Sequence, residues 1–283
     1  MKKPPQARQP GAGWNPRGLT NMGNTCFLNA VAQCLLANEP LTSSARNGIE
    51  KALSSIKTCS TNVTRPTELA RILQRLSPNI MSGQQQDAAE ALEILLRPGD
   101  GGDQPSELTE RNSGRMADYI SCKACNSRTE RERPLNPPII PVAISAGSLE
   151  ACLKTTFAPQ PLPGRQCGVC GNSSRSTLTT TLLETPECIV LHLLRFQQGL
   201  VVEKDTTALK LSPTVQLHGH AFNITGTINH QGMLDRGHYT AHVRHQHQWF
   251  HCNDTMVEKV TAAAALHHSA KSAYLIFLRR ARR

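Results

Sequence analysis

The sequence of 283 residues predicts an α+β fold in which helices come first and strands follow. Three observations carry this. Apolar residues recur at helical spacing between residues 26 and 96. The Pro- and Gly-rich stretch "RPGDGGDQPSE", residues 97–107, breaks that pattern and reads as a linker or exposed loop. Beyond it the apolar runs become short and β-branched.

In chain order, residues 1–17 hold four prolines and two glycines and read as a flexible basic leader. From Cys26, the spacing of Leu28, Val31, Ala32, Leu35 and Leu36 predicts a helix. Leu69, Ile72, Leu73 and Leu76 predict a second near 67–76, and "QQDAAEALEILL" a third over 85–96. Strands are predicted at 138–144, 188–196, 222–229, 238–244 and 273–280. A hairpin through 245–248 would join "HYTAHVR" to "QWFHC". No repeat of fixed period is evident.

Composition limits the function classes. Hydrophobic residues make up 39%, enough for a core. Ten cysteines fall well below the density of a disulfide scaffold. No secretory leader and no apolar run near 18 residues is seen, so the expected setting is a reducing compartment, cytoplasm or nucleus, away from membranes. There, paired cysteines serve as metal ligands or catalysts. The formal charge of +10 is concentrated at the ends. Lys2, Lys3, Arg8 and Arg17 lie at the front, and Arg279, Arg280, Arg282 and Arg283 at the back, so the body holds 23 basic against 21 acidic groups. Such tails read as solvated ends, and nucleic acid is not expected as a partner.

Three constellations could carry chemistry. Cys26 heads the first helix after the loop "NMGNT", where Gly23 permits a tight turn. A helix N-terminus lowers a thiol's pKa and so favours the nucleophilic thiolate. His238 opens the strand after Gly237 and could take the thiol's proton. Asn253 and Asp254, at the end of the next strand, both compete to hold that imidazole, and alternation lets only one reach it. The third constellation is Cys122 and Cys125 with Cys167 and Cys170, two C-x-x-C knuckles that supply four sulfurs for one structural zinc. The histidines at 242, 245, 247 and 251 read as a polar strand face.

These residues resemble the ubiquitin-specific protease family of papain-like cysteine peptidases. "GLTNMGNTCFLNAVAQ" is similar to its cysteine box, and "QQDAAEALEILL" to its glutamine–aspartate box. "YISCKAC" and "CGVC" are similar to its zinc knuckles, and "VLHLLRF" to a palm strand. "NHQGMLDRGHYTAHVR" with "WFHCND" is similar to its histidine box, and "SAYLIFLRR" to its closing strand. The matches cover about residues 18–280 in the family's order.

The resemblance implies a papain-like hand with a helical thumb (about 18–110), zinc-ribbon fingers (within about 115–195) and a β-rich palm (about 138–280), with 281–283 a basic tail end. It implies Cys26 as nucleophile, His238 as base, Asn253 as its orienting partner and Asn21 as oxyanion donor, with Asp254 aiding the donors. Gln86, Asp87, Gly237 and Tyr239 are implied to line the path of the substrate's tail, with Asp87 pairing with its arginines. The implied substrate is ubiquitin, or by the faint likeness of "HQGMLDRGHY" and "QQDAA" the interferon-induced modifier, and a monomer is assumed. An inactive binding scaffold and a zinc-ribbon nucleic-acid binder are the other classes, and the complete Cys–His–Asn set argues against both.

Overall fold

A computed structural model describes residues 15–38, 48–81, 83–97, 113–173, 175–197, 203–233 and 236–281. Most of the predicted leader, nearly all of the 97–107 linker and the last two residues of the basic end lie outside the described residues. In chain order, β1 (Gly18–Leu19) precedes α1 (Cys26–Asn38) and α2 (Gly48–Thr58). Then come β2 (Val63–Thr64), α3 (Thr67–Leu76) and α4 (Ala88–Leu96). Next are β3 (Gly114–Cys122), β4 (Arg128–Leu135), β5 (Ile139–Val142), α5 (Leu149–Thr156), β6 (Gln160–Pro161) and β7 (Ser176–Glu184). The chain continues through β8 (Cys188–Leu193), β9 (Phe196–Gln197), β10 (Glu203–Lys204), β11 (Thr214–Leu217) and β12 (His220–Gly232). It ends with β13 (Gly237–His245), β14 (Gln248–Asn253), β15 (Met256–Val260), α6 (Ala262–Ser269) and β16 (Ala273–Arg280).

The long strands form two sheets. An eight-stranded sheet runs β15-β14-β13-β12-β16-β8-β5, with β11 also paired to β12. It is antiparallel except for β5 and β8, which are parallel. The second sheet, β4-β3-β7-β6, carries the cysteine knuckles at its far end. Helices, a large sheet and a smaller sheet tipped by cysteine knuckles are thus all present, as the implied fold class requires. The helices α2, α5 and α6 were not foreseen. They are short, and α5 and α6 begin at side-chain caps, where Ser148 accepts from the Ala151 N–H and Thr261 from the Ala264 N–H.

α1 is buried on nearly every side, which the predicted apolar stripe alone does not require. Its polar residues reach out to the segment that precedes it. Asn29 donates to the Leu19 carbonyl (3.2 Å), and Gln33 donates to the Arg17 carbonyl, so α1 anchors the segment that feeds the site. One face of the palm sheet packs on α1 through Ala241, Val243 and Cys252, and the opposite face forms a second core with α5, α6 and β11. Arg195, fully buried, ties that second core together. Its guanidinium donates to the carbonyls of Ala273, Asp205, Thr207 and Ala270.

Candidate active site

The loop before α1 is built around one side chain. Asn21 Oδ1 accepts from the Gly23 N–H (3.2 Å) and from both the N–H and the hydroxyl of Thr25 (3.0 and 3.3 Å). The backbone passes through two consecutive left-handed residues, Gly23 (φ 99°) and Asn24 (φ 55°). Glycine was expected there; the left-handed asparagine was not. The turn delivers Cys26 to the first position of α1, with the residue 3% exposed.

The state of that thiol corrects an expectation. Burial pushes its pKa up, and the Asp254 carboxylate adds to the rise. Backbone N–H groups of Tyr239, Phe27 and Cys26 itself pull it down without prevailing. The helix end therefore acts in the foreseen direction, but desolvation outweighs it. A thiolate at this position needs a proton acceptor beside it.

β13 supplies one. His238 precedes Tyr239, whose N–H meets the Cys26 sulfur, and His238 Nε2 donates to Asn253 Oδ1 at 2.7 Å. With Nε2 carrying the proton, the lone pair of the neutral ring lies on Nδ1. The competition between Asn253 and Asp254 is thereby decided for Asn253, at the end of β14. Asp254 begins the turn into β15 in the left-handed region (φ 49°) and faces the other way. Its Oδ1 accepts from Asn29 (2.7 Å) and its Oδ2 from Asn21 (3.0 Å). Its backbone carbonyl accepts from the Leu19 N–H (2.7 Å). Asp254 thus holds the Asn21 amide in place.

The residues implied for the substrate path are held by contacts of their own. Gln85, beside Gln86, meets the histidine segment, its Oε1 accepting from the Gly237 N–H at 2.7 Å. Three consecutive glutamines precede Asp87, and spacing could not choose among them. Gly237 is required for packing: a Cβ there would collide with the ring of His230 and the Gln231 carbonyl. Asp87 is the N-cap of α4, accepting from the Ala89 N–H (2.6 Å), while its other oxygen accepts from the Tyr274 hydroxyl (2.6 Å). Such a cap is worth about 1 kcal/mol. Tyr239 lies inward, its ring against His230 and Tyr274, and burial pushes its hydroxyl pKa up. Alternation along β13 turns its side chain into the core, so it offers the site a backbone N–H and not a hydroxyl.

At the fingertips, Cys122, Cys125, Cys167 and Cys170 place their sulfurs within 4.8 Å of one another. The two knuckles share a design. Asn126 N–H donates to the Cys122 carbonyl and Gly171 N–H to the Cys167 carbonyl (2.9 Å each), and Asn126 and Gly171 are both left-handed. The sulfur pairs Cys122–Cys170 and Cys125–Cys167 stand 3.8 and 3.7 Å apart. A tetrahedral ion with metal–sulfur bonds of about 2.3 Å needs sulfurs about 3.8 Å apart, so the residues fit a metal ion. The histidine group is not the polar strand face foreseen. His242 is 3% exposed, stacks on His251 at 4.8 Å, and is held by Asn229 and Ser269. Burial pushes its pKa down to about 3.

Residues 17–278 match the family described as ubiquitin carboxyl-terminal hydrolase. Among curated relatives, a probable ubiquitin carboxyl-terminal hydrolase 8 of Schizosaccharomyces pombe is 25% identical, over 92% of this chain and 64% of the relative. Ubiquitin carboxyl-terminal hydrolase 22 of Bos taurus is 24% identical, over 92% and 66%. Ubiquitin carboxyl-terminal hydrolase 2 of Rattus norvegicus is 26% identical, over 92% and 53%. The chain thus spans less than two thirds of the length of each of these three relatives. A solved SAGA Ubp8/Sgf11/Sus1/Sgf73 DUB module bound to ubiquitin aldehyde has the same fold, with a TM-score of 0.75 at 21% identity over 94% of this chain and 70% of that one. A yeast SAGA DUB module carrying an Sgf73 mutant gives 0.78 at 20% identity, over 100% and 71%.

Proposed function

Because the chain belongs to the ubiquitin carboxyl-terminal hydrolase family, we infer that it is a thiol-dependent deubiquitinase that hydrolyses the bond after the C-terminal glycine of ubiquitin. The single observation that carries this is the His238–Asn253 hydrogen bond at 2.7 Å beside a sulfur already met by the next residue's N–H. Cys26 transfers its proton to His238 Nδ1 and its sulfur adds to the glycine carbonyl carbon. The oxyanion that forms is stabilised by the Asn21 amide, which Asp254 orients. As the C–N bond breaks, His238 returns the proton to the leaving amine. Water then adds to the thioester, gives its proton to His238, and releases the Cys26 thiolate.

The fingertip cysteines are assigned one zinc ion. Four thiolates close the coordination shell, so the ion serves structure and leaves the chemistry to Cys26. Ten free cysteines support a reducing compartment, cytoplasm or nucleus. The protein is taken to work as a monomer on ubiquitin conjugates.

The test exposes the full chain to ubiquitin and, in a parallel arm, to the interferon-induced modifier, each bearing a C-terminal electrophile. The expected result is a covalent adduct with ubiquitin that Cys26→Ala abolishes. No adduct with either protein overturns the assignment, and capture of the second modifier alone changes the substrate.

A further inference from the structure

At the catalytic end of the palm, β12 outruns one of its neighbours. β16 last pairs with it at Asn229, opposite Ala273, and the His230 N–H goes to the Ser272 carbonyl. Beyond that point no described strand lies along this edge of β12, while its other edge stays paired with β13 as far as Gly232 and Gly237. Backbone carbonyls on such an edge need donors. Lys204, at the end of β10, supplies them. Its Nζ donates to the His230 carbonyl (2.7 Å), to the Gly232 carbonyl (3.2 Å) and to His230 Nδ1 (3.1 Å). An ammonium carries three protons, so these contacts use them all.

The two carbonyls flank Gln231, and Gln231 is the residue paired with His238 in register. Lys204 thus clamps the backbone directly across from the base. His230 extends the clamp. It is 1% exposed, and its ring lies so close under Gly237 that a Cβ there would collide with Nε2. His230 faces with Tyr239, and His238 faces the other side of the sheet. The influence therefore passes through strand backbone and Gly237, not from ring to ring.

The protonation of His230 agrees with this role. Because Lys204 donates to Nδ1, that nitrogen keeps its lone pair and Nε2 carries the proton. Burial, then the charge of Lys204, pushes the His230 pKa down to about 4, with His238 adding to the fall and Asp87 at the head of α4 opposing it. The rings of Phe196, Tyr239 and Tyr274 complete its surroundings, and burial pushes the pKa of both tyrosine hydroxyls up. A protonated His230 would offer Lys204 no lone pair, so the clamp holds only while the ring is neutral.

We propose that Lys204 is a positioning residue for the catalytic base: through two β12 carbonyls and a neutral His230 it fixes the start of β13, and with it the ring that takes the Cys26 proton. This rests on the deubiquitinase reading. The contacts of the Lys204 ammonium go to β12 and not to the reacting atoms, so its loss should appear in kcat more than in KM.

The test uses the full-length chain, a ubiquitin–fluorophore substrate and nitrogen NMR of the histidine rings. In the wild-type protein at neutral pH, His230 should be neutral with its proton on Nε2. Lys204→Met keeps the stem and removes the charge. It should lower kcat about tenfold with KM within about twofold of wild type. The His230 titration should move up by about one pH unit in that variant. Lys204→Arg keeps a charged donor and should hold kcat within about threefold of wild type. A charged or Nδ1-protonated His230 in the wild-type protein overturns the proposal. So does a Lys204→Met enzyme with wild-type kcat, a loss confined to KM, or a Lys204→Arg enzyme about tenfold slower than wild type. If Lys204→Met does not fold, the wild-type tautomer and the arginine variant still decide. No fluorophore release by the wild-type chain sinks the deubiquitinase reading instead, and the NMR result stands apart from it.

Discussion

Asn21 donates its side-chain amide to Asp254 Oδ2 at 3.0 Å, across 233 residues of chain. Asp254 is adjacent to the residue that holds the base, so one two-residue stretch positions both halves of the chemistry. Asn253 fixes the imidazole, and Asp254 fixes the amide to which we assign the oxyanion.

This division predicts different losses at neighbouring positions. Asp254→Ala should lower kcat by about a hundredfold or more with little change in KM, because a freed Asn21 no longer donates to the transition state in one orientation. Asn253→Ala should also lower kcat, while Asn253→Asp should be tolerated, since a carboxylate oxygen can accept the same Nε2 proton. Steady-state kinetics on a ubiquitin–fluorophore substrate check both. An Asp254→Ala enzyme as active as wild type would remove the positioning role.

A methyl group at Gly237 should disable the enzyme without unfolding it. Gly237→Ala forces a Cβ against His230 and the Gln231 carbonyl, displacing the strand start that carries His238. Gln85→Ala should be milder, because it removes one hydrogen bond to the Gly237 N–H, a contact worth about 1 kcal/mol. Circular dichroism should match wild type in both, and turnover should fall further in the first.

Metal analysis of freshly purified protein, prepared without chelator, should find one zinc per chain. Cys122→Ser or Cys170→Ser should reduce that content and loosen the fingers, because metal binding contributes directly to their folding. Substrate binding should weaken more than chemistry at saturating ubiquitin.

Two buried histidines should make the fold acid-sensitive. Burial lowers the pKa of His242 to about 3 and that of His230 to about 4, with Lys204 adding to the second. An unfolded histidine titrates near about 6.5. Below that pH the unfolded chain binds protons that the native state excludes. Stability is therefore full above about pH 6.5 and falls as pH drops toward about 4 and 3. Thermal unfolding followed between pH 7.5 and about 4.5 should show this decline.

How far each feature was legible depends on the range of the interaction that makes it. The long helices, five palm strands and two knuckles follow from local spacing, since 3.6- and 2-residue periods and C-x-x-C pairs are properties of neighbouring residues. The finger strands around the knuckles were required only by the 41-residue gap between Cys125 and Cys167, not read as strands themselves. Cys26 and His238 were nameable because a nucleophile and a base each sit in a distinctive local run. Gln85 was missed because three glutamines in a row look alike until the Gly237 N–H selects one. The thiol's pKa was misjudged because a helix end is visible in sequence, whereas burial depends on strands more than 200 residues away. The roles of Asn253 and Asp254 were open for the same reason. By itself the sequence determined which chemical groups the site contains and the order of thumb, fingers and palm. Only the tertiary structure decided which oxygen meets which nitrogen, because a left-handed residue at 254 turns adjacent side chains toward partners on different elements.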